Sequence, residues 1–362
     1  MLRAMKFDPD AAAASDSGIY GLPFPVTEAR FVVVPVPYDA TTSYRDGTRN
    51  GPEAVIEASR QVDLFDADFG RPYEQGIAAL PSDHSFVKNI VRLNREARRF
   101  SKPVIAVGGE VEGKPKLKKA LAEVNRRSEE VNERVDHLCR EFLREGRTPV
   151  VLGGDHSTPF GAIRAYGARF PGLGILHIDA HADLRDAYEG FTWSHASILF
   201  NVHEKIRNLG HIVQVGIRDF GVAEMERIEK WGDLTAFTDH ELAWELGSGE
   251  PWMRIAARVL RPLPPRVWVT FDVDGLDASL CGRTGTPVPG GLSWRETLLL
   301  LQLLADEHEI VGFDVVEVGD GEWDANVGAR LLYKLAGWAI ATRGRTERTP
   351  DRPGRATRGP VG

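Results

Sequence analysis

Four apolar runs in this chain end on acidic or imidazole side chains, and that pattern limits the folds open to it. They close at Gly153-Gly154-Asp155-His156-Ser157, at Asp179-Ala180-His181-Ala182-Asp183, at Asp272-Val273-Asp274 and at Glu317. Asp179, His181 and Asp183 step by two, and so do Asp272 and Asp274. In extended backbone a step of two places side chains on one face. Five potential metal ligands then point into one place from two strand ends. So many carboxylates share a pocket only when cations neutralise them. The economical reading is a two-metal site built for hydrolysis.

The rest of the pattern alternates. Apolar runs at Phe31–Val36, Val104–Val107, Val150–Leu152, Gly174–Ile178, His211–Ile217, Val267–Phe271 and Ile310–Val316 read as strands. Helices are expected from Gly51-Pro52-Glu53 onward, over Leu117–Glu145, and over 158–170, 221–231, 293–305 and 325–342. Strongly apolar strands alternating with helices predict an α/β fold, a three-layer α/β/α arrangement around a mainly parallel sheet. Ligand sites in such sheets lie beyond the carboxyl ends of the strands, where every acidic cluster here falls.

The chain has 362 residues and a net charge of −7, enough length for a large core without disulfide staples. Its two cysteines, Cys139 and Cys281, read as free thiols in a reducing compartment. No apolar run approaches the ~20 residues of a membrane span, and the start lacks a signal-peptide pattern. The expectation is a cytoplasmic protein that binds neither membrane nor nucleic acid. Residues 1–30 read as an irregular segment and 31–342 as one catalytic domain. Residues 343–362, with six arginines against two acids, read as a disordered basic tail.

Carboxylate and imidazole ligands without thiolate suit Mn²⁺, Fe²⁺, Ni²⁺ or Zn²⁺, with Mn²⁺ matching a carboxylate-rich set. Glu317, at a strand end, can clamp a cationic group by paired hydrogen bonds, as carboxylates do with guanidinium. The loop from Arg185 to Ser197 directly follows Asp183 and can cover the metals. Within it His195 is a candidate proton shuttle, and Trp193 can stack on a planar cation. Thr284–Gly291 is a stiff glycine-rich loop after the Asp272 cluster.

Taken together, Gly153–Ser157, Asp179–Asp183, Ser194-His195-Ala196-Ser197, Phe271–Asp277, Gly285–Gly291 and Gly312–Val318 resemble the ureohydrolase family of arginases and agmatinases, from about Phe31 to Ala341. Tyr44–Pro52 is similar to that family's first-loop pattern. The resemblance implies an arginase-like fold with a binuclear manganese site, in trimers or hexamers. It implies His156, Asp179, His181, Asp183, Asp272 and Asp274 as metal ligands, Asp179 and Asp272 bridging. It implies His195 as the proton shuttle, Glu317 as the guanidinium-binding glutamate, and Asp183 as the group that takes up and passes on the proton of the attacking hydroxide. The chain departs from the family's pattern at Ala278, after Glu317, and in a longer stretch over 100–147. The Arg185–Ser197 loop is more similar to agmatinases than to arginases. The implied reaction is agmatine to putrescine and urea. The alternatives are guanidine with nickel, or guanidinobutyrate, arginine or formimino-glutamate. A metal-binding protein without activity is the reading from another class.

Overall fold

The computed structural model describes residues 7–347. Its strands are Phe31–Val36 (β1), Ile77–Ala79 (β2), Thr148–Gly153 (β3), Leu173–Ile178 (β4), Leu209–Ile217 (β5), Leu234–Thr238 (β6), Arg266–Asp272 (β7) and Glu309–Val316 (β8). They form one sheet in the order β2-β1-β3-β8-β7-β4-β5-β6, and every pairing is parallel. The helices are Gly51–Ala58 (α1), Ser85–Ile105 (α2), Pro115–Arg144 (α3), Phe160–Arg169 (α4), Ile198–Lys205 (α5), Val222–Lys230 (α6), Asp239–Gly247 (α7), Trp252–Leu260 (α8), Trp294–Glu307 (α9) and Glu322–Thr342 (α10).

The expected three layers are present. Side chains alternate across each strand. Phe31, Val33, Val150 and Leu152 join one core with residues of α1 and α7 to α10. Val32, Val34, Val36 and Val151 join the other, with α2 to α5. Both faces are therefore buried, which is why β1, β3 and β8 read as unbroken apolar runs rather than alternating ones. Each such side chain contributes about 1.5–3 kcal/mol on burial, so this register is strongly fixed.

The four runs picked out in the sequence become neighbouring strands, β3-β8-β7-β4, at the middle of the sheet. Register brings their ends level. Ile178 pairs with Phe271, Asp272 with Val316, and Leu152 with Val315. The residues that follow, Asp179, Asp272, Glu317 and Asp155-His156, thus emerge together. Gly154 is demanded here by close approach: a Cβ would run into the backbone of Tyr38.

One expected strand is corrected. Val104–Val107 does not enter the sheet. Val104 and Ile105 close α2, a 21-residue helix whose buried stripe runs Phe86, Ile90, Leu93, Ala97 and Val104, and Ala106 and Val107 lie in the turn after it. Tertiary burial of that stripe overrides the β preference of a short valine-isoleucine run, and Gly108 and Gly109, both at positive φ, end the helical segment. Helices α2, α5, α7 and α8 and strands β2 and β6 add to those expected from sequence. The start of the expected basic tail bonds to the body, with Gly344 and Thr346 donating to Glu309. Residues 348–362 of that tail lie outside the described residues. No described helix is long and apolar enough to cross a membrane, and both cysteines are free and buried.

Candidate metal centre

Asp179, Asp272, Asp274 and Glu317 share one design. One carboxylate oxygen is tied by a backbone N–H, and the other is turned into a common space. The N–H of His181 donates to Asp179 Oδ1 (2.6 Å), that of Asp274 to Asp272 Oδ1 (2.9 Å), that of Ala180 to Asp274 Oδ1 (3.0 Å), and that of His156 to Glu317 Oε1 (3.0 Å). The inward oxygens of Asp274 and Glu317 are buried without a hydrogen-bond partner.

His156 completes one half of the cluster. Its Nδ1 lies 2.9 Å from Asp179 Oδ2, 3.2 Å from Asp183 Oδ2 and 3.4 Å from Asp272 Oδ2. None of these contacts has hydrogen-bond geometry, so Nδ1 is a buried nitrogen without a donor or acceptor partner. The other half is His181, whose Nδ1 lies 3.1 Å from Asp274 Oδ2 and 3.4 Å from Asp179 Oδ1. His156, His177, Asp179 and Asp183, and separately Asp179, His181 and Asp274, hold their donor atoms close enough to grip an ion.

Electrostatics argue the same way. Burial, then the neighbouring acids Asp274 and Asp179, holds the Asp272 carboxyl well above the ordinary carboxylate range. Burial and Asp179 push Asp183 up to about 7. Burial, Asp272 and Asp155 raise Glu317 well above its usual value. Leaving such charges buried and unpaired costs several kcal/mol each. Hard oxygen and imidazole donors that converge on orphaned atoms fit divalent cations. Asp183 and Glu317 sit at φ 54° and 60°, a strained region for residues with a Cβ that is characteristic of functional positions.

Around this cluster stand residues that the sequence reading did not single out. Thr270 Oγ1 donates to Asp314 Oδ1 (2.9 Å), and Trp268 Nε1 donates to Asp314 Oδ2 (2.7 Å). Thr270 has only one proton to give. The 2.9 Å contact between its Oγ1 and His156 Nε2 is therefore donated by the imidazole. That leaves the lone pair of His156 on Nδ1, facing the carboxylates. His177 acts alike: Gln214 donates to its Nδ1 (3.0 Å), so its Nε2–H donates to Asp179 Oδ2 (2.8 Å). Arg218 donates to the carbonyls of Gly216, Asp274, Leu276, Val288 and Pro289, knitting the loops beyond β5 and β7 to the Thr284–Gly291 loop. His177 was readable, since it precedes Asp179 by two. Thr270, Asp314 and Arg218 were not, because they act across strands.

The covering loop comes back over the centre. The N–H of His195 donates to Thr41 Oγ1 (3.3 Å), and Thr41 donates to the buried Asp155 (3.3 Å). Burial first, then the neighbouring His181 and His156 imidazoles, lowers the His195 imidazole to about 4. The Trp193 ring packs on Phe160 (4.7 Å between centroids), with the Lys205 ammonium 5.3 Å over it. Its apolar faces are satisfied by the core side of α4 and α5. Arg185 pairs with Glu224 (3.3 Å) and lies over Tyr188.

Comparison with known proteins agrees with this picture. Residues 29–337 match the model of the arginase family. The chain is 34% identical to an N(1)-aminopropylagmatine ureohydrolase of Thermus thermophilus over 86% of this chain and 91% of that one. It is 26% identical to an agmatinase of Pyrococcus horikoshii, over 86% and 93%. The agmatine ureohydrolase structure of Thermoplasma volcanium superposes with a TM-score of 0.68 at 22% identity, covering 93% of this chain and 98% of that one, a likeness of fold.

Proposed function

Because this chain belongs to the arginase family, and is therefore a hydrolase of the ureohydrolase type, we propose that it cleaves a linear guanidino amine, agmatine or an N-substituted agmatine, to urea and the corresponding amine. The observation that carries this is Glu317. Its backbone-anchored carboxylate keeps Oε2 buried and unpartnered beside the cluster. Gly285 leaves room there: a Cβ at that position would stand 2.9 Å from Oε2. A planar cation with paired N–H groups is the natural partner for such an oxygen.

His156, Asp179, Asp183 and Asp272 would hold one cation, and His181, Asp179, Asp272 and Asp274 the other, with Mn²⁺ the metal suited to so many carboxylates. When bound, such a pair supplies water acidified toward neutral pH and positive charge where negative charge develops. Glu317 binds the guanidinium and fixes its carbon over the cluster. Asp183 takes a proton at its carboxylate and passes it to the departing nitrogen. His195, neutral at working pH, exchanges protons between the site and solvent. Near-complete burial of the acids keeps bulk water from screening these charges.

The amine end is supported by the loop. Arg185, the donor a substrate carboxylate would need, is taken up by Glu224. Glu189 on the same loop keeps a buried carboxylate oxygen unpartnered, which suits an ammonium. The aminopropylagmatine relative points the same way. The test is urea release by protein loaded with Mn²⁺ or Ni²⁺. Agmatine and N(1)-aminopropylagmatine, with manganese, should outpace arginine, guanidinobutyrate and guanidine. Activity on guanidine alone, or on none of the five, overturns the proposal.

A further inference from the structure

The longer stretch over 100–147 forms a hairpin of α2 and α3 whose tip builds a third apolar cluster, separate from the two cores. Val104, Ala120 and Val124 of the hairpin enclose Phe191, which is fully buried, with Phe100, Ile105, Val111 and Leu121 around them. Phe191 does not belong to the hairpin. It lies on the loop after Asp183, four residues before His195.

The backbone on either side of Phe191 is held as well. Asn125 Nδ2 donates to the carbonyl of Gly190 (3.2 Å), and Asn125 Oδ1 accepts the N–H of Thr192 (3.0 Å). One side chain on α3 thus grips both neighbours of Phe191. The Leu121 methyls close on Gly190, and Gly109 at the hairpin turn abuts the backbone of Glu189. The loop turns here through two left-handed residues, Glu189 (φ 52°) and Gly190 (φ 82°). Between Tyr188 and Trp193 the backbone's own bonds are one pair, Tyr188 with Phe191, while the ends of the loop are tied by the Arg185 N–H to the Ala196 carbonyl and the Ser197 N–H to the Ser194 carbonyl, and Asn201 of α5 donates to the Thr192 carbonyl (2.8 Å). A segment with so few bonds of its own stays ordered only if something outside restrains it. Beyond the grip, the Tyr188 ring meets the edge of His195 with centroids 6.2 Å apart.

We propose that the α2–α3 hairpin helps to position His195, beside the direct Thr41 contact, with Asn125 as the positioning residue and Phe191 as the plug that seats the loop. The role rests on the ureohydrolase reading of His195. Asn125 never meets substrate. It acts by fixing the path of residues 188–192, from which the chain reaches His195. A proton carrier displaced by about 1 Å loses much of its rate, and the two Asn125 bonds, beside that of Asn201 to Thr192, hold that path.

The test uses the full chain loaded with manganese. Asn125→Leu keeps size and removes both bonds. Asn125→Asp keeps the acceptor for Thr192 and loses the donor to Gly190. We expect kcat for urea release to fall roughly tenfold in the leucine variant and less in the aspartate variant, the scale of losing two and one hydrogen bonds. KM and metal bound per chain should stay at wild-type values. Amide hydrogen exchange should accelerate in residues 186–194 and not in the body of α3. Wild-type kcat with wild-type exchange in that segment overturns the proposal. So does a fall in bound metal that accounts for the lost rate. Exchange also separates the two readings. If the wild type releases no urea from any guanidino compound, the reading of His195 fails and the positioning role with it, and faster exchange in the leucine variant then marks the hairpin as a structural clamp.

Discussion

Asp314 decides which nitrogen of His156 carries the proton, although one hydroxyl separates the two. Thr270 donates to Asp314 and so accepts from His156 Nε2, which turns the lone pair on Nδ1 toward Asp179, Asp183 and Asp272. Partners that orient a metal ligand from behind are worth about 10–100-fold in metal affinity.

Thr270→Val therefore tests the relay with almost no change of volume. It frees His156 Nε2 and leaves Asp314 short of one donor. Manganese affinity, measured by titration calorimetry, should weaken about 10–100-fold. Unchanged affinity would mean that His156 finds its tautomer without Thr270.

Glu317→Gln removes the charge and keeps the shape. Hydrogen bonds to a charged partner are worth about 1.5–3 kcal/mol, so kcat/KM for a guanidino amine should drop about 10–150-fold while bound metal stays constant. An unchanged kcat/KM would remove Glu317 from substrate binding.

Protons and metal should compete for the cluster. Asp183 and Asp155 are both raised to about 7 in the folded chain, by burial first, and Asp272 and Glu317 are raised well above their usual range. Raised carboxyls stabilise the fold while protonated. Their contribution is complete below about pH 4 and is lost as pH climbs through 7. Asp179, held low after burial is outweighed by His177 and His156, and His195, lowered by burial, act in the opposite sense. The net expectation is that metal-free protein loses thermal stability between pH 5 and 8 on the order of a few kcal/mol, and that Mn²⁺ restores it at pH 8 but not at pH 5. A metal-free melting temperature that rises steadily over that range would contradict this.

Arg218 spans five carbonyls, one at the end of β5 and four in the loops after β7, including that of the cluster residue Asp274. Arg218→Met keeps the stem and leaves those carbonyls without their donor. Denaturant unfolding should show a loss of about 2 kcal/mol or more, together with weaker binding of the second of two Mn²⁺ ions. Equal stability and two wild-type affinities would show that water serves these carbonyls as well.

Much of this molecule could be read from its sequence. The steps of two at Asp179, His181 and Asp183 and at Asp272 and Asp274 are local, and extended backbone turns such a step into one face without help from the rest of the chain. The unbroken apolar runs before them follow from burial on both faces of a parallel sheet. Those two facts put the acids at strand ends and give the layered fold. Strand order was decided only in three dimensions. Nothing local places β8, from the end of the chain, between β3 and β7, yet that placement brings Glu317 beside His156 and lets Asp314 reach Thr270. The same holds for Val104, helical because the stripe of α2 is buried, and for Trp193, turned to Phe160 rather than outward. Side-chain periodicity is a property of neighbouring residues and is written in the sequence. Contacts between distant elements depend on how whole layers pack, and in this chain those contacts orient the clustered carboxylates and imidazoles and hold the loop beside them.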